Sequence, residues 1–242
     1  MSNRQLYIEK YAQYLFYKYI YKVFLENKYI EYFSEYEIKK MELIHESMII
    51  DKELENKFIY GIHEEYNHFK FMNFLAKREY SNLQNKISRL KNKRDNFNAY
   101  LKDIRQLLNN EFLDKLKILI DKYDPFINKG QYTETDWNMI KYSIETGQFE
   151  IIFDSFSKLG DLEFSKSRLS AKDLSEKIKY FDTQMDDMTE LFPFNLEDTI
   201  SSKKEIDKKI KEIKSEIKKS DKALKHITNM YLYVNEYNGL EN

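Results

Sequence analysis

The chain has 242 residues, of which 42% are hydrophobic and 33% charged, and its formal net charge is −1. The apolar share is too high for a disordered chain. Five glycines and two prolines are too few for a strand-rich fold, which needs turn residues every 8–12 positions or so.

An all-α architecture follows by elimination. The chain contains no cysteine, which removes disulfides, thiolate zinc sites and cysteine nucleophiles and fits a cytoplasmic location. No run of about 18 apolar residues is present, so no membrane span is expected. The stretch Met1 to Tyr21 is aromatic and apolar but lacks the zones of a signal peptide. Usage is skewed to Lys, Asn, Ile, Tyr and Phe. These residues have AT-rich codons, which points to an AT-rich genome, a phage or a mobile element, including defence or counter-defence roles.

Charge divides the chain into four segments. Residues 1–75 carry 10 basic and 12 acidic side chains, residues 76–130 carry 13 and 7, residues 131–198 carry 7 and 15, and residues 199–242 carry 10 and 7. The near-zero total therefore hides two basic segments and one acidic segment. In 1–75, Tyr11, Leu15, Ile20, Val23 and Phe24 recur at helical spacing. A second helix is expected over about 30–50, and Asp51 is a candidate cap for a third, whose stripe is Ile59, Ile62, Tyr66, Phe69 and Met72. Three antiparallel helices in an aromatic-rich N-terminal bundle are the economical reading.

Segment 76–130 reads as the first long basic helix, with a break or kink expected near Glu79–Asn82. Its seam is Leu83, Ile87, Leu90, Arg94, Phe97, Leu101, Ile104 and Leu108, in steps of four and three. A 3.5-residue period keeps one apolar seam against a partner helix. Asp124-Pro125 is expected to stop the helix. Segment 131–198 is acidic and broken, with short helices expected at about 134–146 and 148–159 and a longer one at about 171–190. Thr133 with Asp136 and Ser170 with Asp173 resemble capping boxes, and Phe192-Pro193-Phe194 marks a turn. Segment 199–242 reads as the second long basic helix, begun by Ser202 with Glu205. Its seam is Ile206, Ile210, Ile213, Ile217, Ser220, Leu224, Ile227, Tyr231 and Val234.

An a/d seam needs a partner helix. The predicted fold is an all-α helical bundle with two long coiled-coil-like helices, 76–130 and 199–242, paired antiparallel. Pairing across a dimer, or membership of a bundle core, satisfies the same pattern. Lysines crowd both long helices. Lys86, Arg89, Lys93, Lys204, Lys208, Lys211 and Lys218 are the candidates for nucleic-acid contact, by neutralising phosphates. Glu205, Asp207, Glu212, Glu216 and Asp221 lie among the lysines of the second helix and weaken the field.

Glu42 with His45, and Glu65 with His68, each place a carboxylate and an imidazole on one helical face. In part, the pairs resemble the carboxylate-bridged di-iron bundles, which implies a metal-dependent oxidoreductase. The likeness covers about 30 residues and lacks the second half of that pattern: the two pairs stand 23 residues apart, and the one histidine outside this region is His226. No phosphate-binding glycine loop or nucleophile elbow occurs. Trp137 reads as a core or interface anchor, and Asp186-Asp187 as a solvated cluster. The sequence therefore points first to a non-catalytic interaction protein: an adaptor, an inhibitor, or a subunit of a larger assembly. A protein partner or homo-oligomer is expected, with no cofactor and no membrane. A nucleic-acid-binding accessory protein and a metal-binding helical oxidoreductase are the alternatives.

Overall fold

Ser2 begins the first helix. Its Oγ accepts the backbone N–H of Gln5 at 3.2 Å, and its own N–H donates to Gln5 Oε1 at 2.9 Å. This reciprocal box satisfies two donors that a helix start would otherwise leave open. The computed structural model describes residues 2–59, 66–96, 104, 107–129, 133–148, 165–166 and 169–239. The helices are α1 (Asn3–Leu15), α2 (Lys22–Ile59), α3 (Tyr66–Asp95), α4 (Asn110–Tyr123), α5 (Thr133–Thr146), α6 (Ala171–Thr189), the short α7 (Glu197–Ser201) and α8 (Lys203–Gly239). A π-helical turn, Phe16–Tyr21, lies between α1 and α2. A two-residue antiparallel pairing joins Asn128–Lys129 (β1) to Ser165–Lys166 (β2). The fold is all-α. Among the described residues no helix is long and apolar enough to cross a membrane.

The chain forms two compact units: Met1–Asn27 with Asn98–Glu197, and Lys28–Phe97 with Asp198–Asn242. In the first, α1 packs on α6 and α4, and α4 packs on α5. Ala12 is fully buried in this core. Tyr11 and Phe181 stack with ring centroids 4.6 Å apart and planes within 5°. Trp137 of α5 meets the Tyr11 ring edge-on at 5.7 Å and is a core residue. Such aromatic pairs contribute about 0.5–1.5 kcal/mol beyond their buried area. Leu116, Leu119, Ile120, Ile140 and Ile144 complete the core.

Polar contacts fix the start of α1 on the end of α4. Asp124 follows α4 in extended conformation (ψ 115°), as the following proline requires. Its buried carboxylate accepts the Tyr7 hydroxyl at 2.6 Å and the Phe126 backbone N–H at 3.0 Å. Arg4 donates to Asp121 Oδ1, to the Ile127 carbonyl at 2.7 Å and to Asn128 Oδ1 at 3.0 Å.

In the π-helical turn the Lys22 N–H reaches the carbonyl of Tyr17, five residues back. The extra residue per turn re-aims the side chains around it. Tyr19 donates to Glu145 Oε1 at 2.7 Å, Tyr21 is hydrogen-bonded to Glu197, and Lys18 Nζ donates to the Tyr14 hydroxyl at 3.1 Å.

In the second unit, Ile30, Phe33, Ile38 and Leu54 of α2, Ile87 of α3 and Ile213 of α8 are buried. The α3 residue Lys91 pairs with Glu42 at 2.6 Å, and Tyr80 donates to the Met48 carbonyl at 2.7 Å. Position thus rises along α3 as it falls along α2, so the two run antiparallel. On α8, Lys214 lies over the Tyr36 ring at 5.0 Å and Glu216 pairs with Lys40 at 3.1 Å. Position rises together here, so α8 runs parallel to α2 and opposite to α3.

Several expected boundaries move. The region 22–59 is one helix, with Asp51 in its interior rather than capping a third helix. No break occurs at Glu79–Asn82, because α3 runs through it. A single helix over 76–130 does not form: α3 ends at Asp95, and Asn109, in extended conformation, caps α4 by accepting the Phe112 N–H at 2.8 Å. The compact units also cut across the four charge segments, and within the first unit α4, α5 and α6 pack on the aromatic face of α1. The Ser170–Asp173 box is present, and α5 and α6 lie where a short and a longer helix were expected. The expected helix at 148–159 lies outside the described residues.

Burial holds the Asp124 carboxyl above the usual carboxylate range, outweighing the Tyr7 and Phe126 hydrogen bonds that lower it. The folded chain then keeps a proton that the unfolded chain releases. This group's contribution is full below the unfolded value of about 3.9 and is lost as pH rises through the folded value. Tyr7→Phe leaves Asp124 Oδ2 without its donor and is expected to lower stability by about 1–3 kcal/mol in urea denaturation. In a pH series just above the ordinary carboxyl range, wild type is expected to lose stability relative to Asp124→Asn as pH rises.

Candidate functional site

Helix α8 presents two opposite faces with different chemistry. Its seven-residue repeat places Ile206, Ile210, Ile213, Ile217, Ser220, Leu224, Ile227, Tyr231 and Val234 on one stripe. Ile213 is buried and the other eight are partly exposed. Lys204, Lys208, Lys211, Lys218, Lys222 and Lys225 recur on the opposite stripe, and all six are exposed. The helix starts where Ser202 Oγ accepts the Glu205 N–H at 3.3 Å, so capping fixes where the repeat begins.

Acidic residues neutralise part of this charge. Glu205 pairs with Lys208 at 3.9 Å, Glu212 with Lys209 at 3.4 Å, and Asp221 with Lys225 at 2.8 Å. Glu216 is turned toward Lys40 on α2. Lys204, Lys211, Lys218 and Lys222 have no ion-pair partner among the described residues. Between residues 203 and 225 the helix carries ten lysines and five acids, a local excess of five positive charges.

Beyond residue 225 the chemistry changes. From 226 to 239, apart from His226, the charged residue is Glu236. Met230, Leu232 and Tyr233 are 43%, 52% and 68% exposed. Tyr180, Leu191 and Phe192 of the first unit, at and beyond α6, are also exposed.

The remaining sequence candidates fall as follows. On α3, Leu83, Ile87 and Leu90 face inward, while Arg94 is exposed and bonds Asp95. Phe97 and Leu101 lie outside the described residues. Ile104 is buried, and Leu108 packs on the core of the first unit. The first seam is therefore divided between the two units rather than lying along one rod. Lys86, Arg89 and Lys93 are exposed on α3.

Glu42 is engaged by Lys91, and the His45 ring sits edge-on to Tyr80 with centroids 6.3 Å apart. Glu65 and the side chain of His68 lie outside the described residues. Among the described residues no group of three or more His, Asp or Glu is placed to hold a metal ion. Asp186 and Asp187 are exposed on α6.

Sequence reasoning missed the Arg4–Tyr7–Asp124–Asn128 cluster. Asp124-Pro125 signalled a helix end there, but no local pattern pairs Asp124 with Tyr7, 117 positions away, or Asn128 with Arg4, 124 positions away. The π-helical turn left no signal either. Compared with protein-family models, curated proteins and solved structures, the chain gives no match.

With Glu42 held in an ion pair, Glu42→Gln and His45→Ala are expected to leave the metal content of the purified protein unchanged. Elemental analysis after growth with iron and zinc supplied checks this, and a stoichiometric metal lost in either variant is the contrary result.

Proposed function

We propose that the chain is a non-catalytic helical interaction protein, a subunit that associates through the C-terminal third of α8. The observation that carries this reading is the exposure of Met230, Leu232 and Tyr233 outside the seam Leu224 to Val234, which its own unit itself covers only in part. A large aromatic at 68% exposure, flanked by two other apolar side chains, has the composition of an interface core rather than of a solvated helix.

The fitting occupant is a second copy of this chain. The lysine stripe has ended by residue 225, and Glu236 is the charged residue in 226–239. Two such ends meet with little like-charge repulsion, and each brings half a seam of the kind a coiled coil completes. A different helical subunit with an apolar stripe would satisfy the same surface.

Light scattering after size exclusion tests the reading. Wild type is expected to run as a defined oligomer, and Leu232→Asp with Tyr233→Asp as a monomer. Both side chains are exposed, so the double variant is expected to stay within about 0.5 kcal/mol of wild-type stability per site. A wild-type monomer at high concentration that turns over a small substrate would defeat the proposal.

A further inference from the structure

We infer that the outer lysine stripe of α8 binds the phosphate backbone of a nucleic-acid duplex without reading its sequence. This site is separate from the apolar end of the same helix. The stripe from Lys204 to Lys225 covers 22 residues, about 32 Å end to end at 1.5 Å per residue. One turn of B-form duplex is about 34 Å, so a helix laid along it can place all six ammonium groups within reach of phosphates. Flexible lysine stems absorb the drift of about 20° per heptad that a straight helix accumulates.

Three features select this polyanion over others. Insertion of a helix into an anionic bilayer requires apolar side chains beside the lysines, so that one face can enter the headgroup region. Here Ile206, Ile210, Ile213 and Ile217 lie on the opposite stripe, Ile213 buried and the other three half-buried. A protein partner is held by aromatic and arginine anchors, and lysine is depleted at such interfaces. Between 204 and 225 the exposed stripe offers neither aromatic nor arginine. Lysine acts as a point charge toward phosphate, and specific base contacts are made mostly by arginine, asparagine and glutamine. A face of lysines alone therefore positions a duplex without specifying its sequence.

Fluorescence anisotropy with the full-length chain and a labelled mixed-sequence duplex of about two turns tests this, between about 50 and 200 mM salt. Each neutralised phosphate contributes about −0.9 to the slope of log K against log salt, so six contacts give a slope near −5. Lys211→Glu, Lys218→Glu and Lys222→Glu combined change exposed residues and keep the circular dichroism of the wild type. The triple variant is expected to bind more weakly, with the slope reduced by about 3. Unchanged affinity in the triple variant, no binding at the lowest salt, or tighter capture of polyglutamate or anionic vesicles than of duplex would overturn the inference. Oligomer formation is read separately by light scattering, so loss of duplex binding with the oligomer intact removes this site alone.

Discussion

A straight helix that buries one stripe must present the opposite stripe to water, and α8 follows from that geometry. Its repeat assigns isoleucine and leucine to one side and lysine to the other. Burying Ile213 against its own unit aims six lysines outward as a single row. Hydrophobic burial thus sets the direction of the charge. Of the acids of the helix, Glu205 and Asp221 pair with Lys208 and Lys225 of the outer row, while Glu216 is turned toward Lys40. The surface is a by-product of core packing, and it keeps its orientation as long as the seam stays covered.

The first unit is held by a different kind of contact. Residues 1–27 pack with 98–197 across a long gap in sequence, and closing that gap costs chain entropy. The aromatic face of α1 offsets the cost by burying Tyr7, Ala12, Tyr14 and Leu15, while Arg4 and Tyr7 fix the register of α1 on the end of α4. A buried carboxylate without donors would be expensive. The pairing of Asp124 with Tyr7 therefore acts as a constraint on geometry as much as a source of stability.

The two faces of α8 divide its length. Charge fills 204–225 and ends where the exposed apolar residues begin. Self-repulsion opposes association along the basic part and is small along the remainder, so one helix can carry two contacts of different chemistry side by side. The short α3 stripe of Lys86, Arg89 and Lys93 is also exposed, and α3 runs opposite to α8.

By itself, the sequence determined the helical class, through scarce glycine and proline. It also determined the two faces of α8 and the caps at Ser170 and Ser202. These are local matters: a period, a cap and a charge row are written within a few turns of chain. The first seam was read as one rod because Leu83 to Leu90 and Ile104 to Leu108 share a four-three rhythm. Tertiary structure assigned them to separate units, and the cap at Asn109 reset the helix between them. Only the folded chain decided which surfaces each stripe meets, that α1 returns to α4 and α6, and that Asp124 is buried against Tyr7. Those outcomes depend on contacts between residues more than 100 positions apart, and a helical period specifies that a face must be covered without specifying by what.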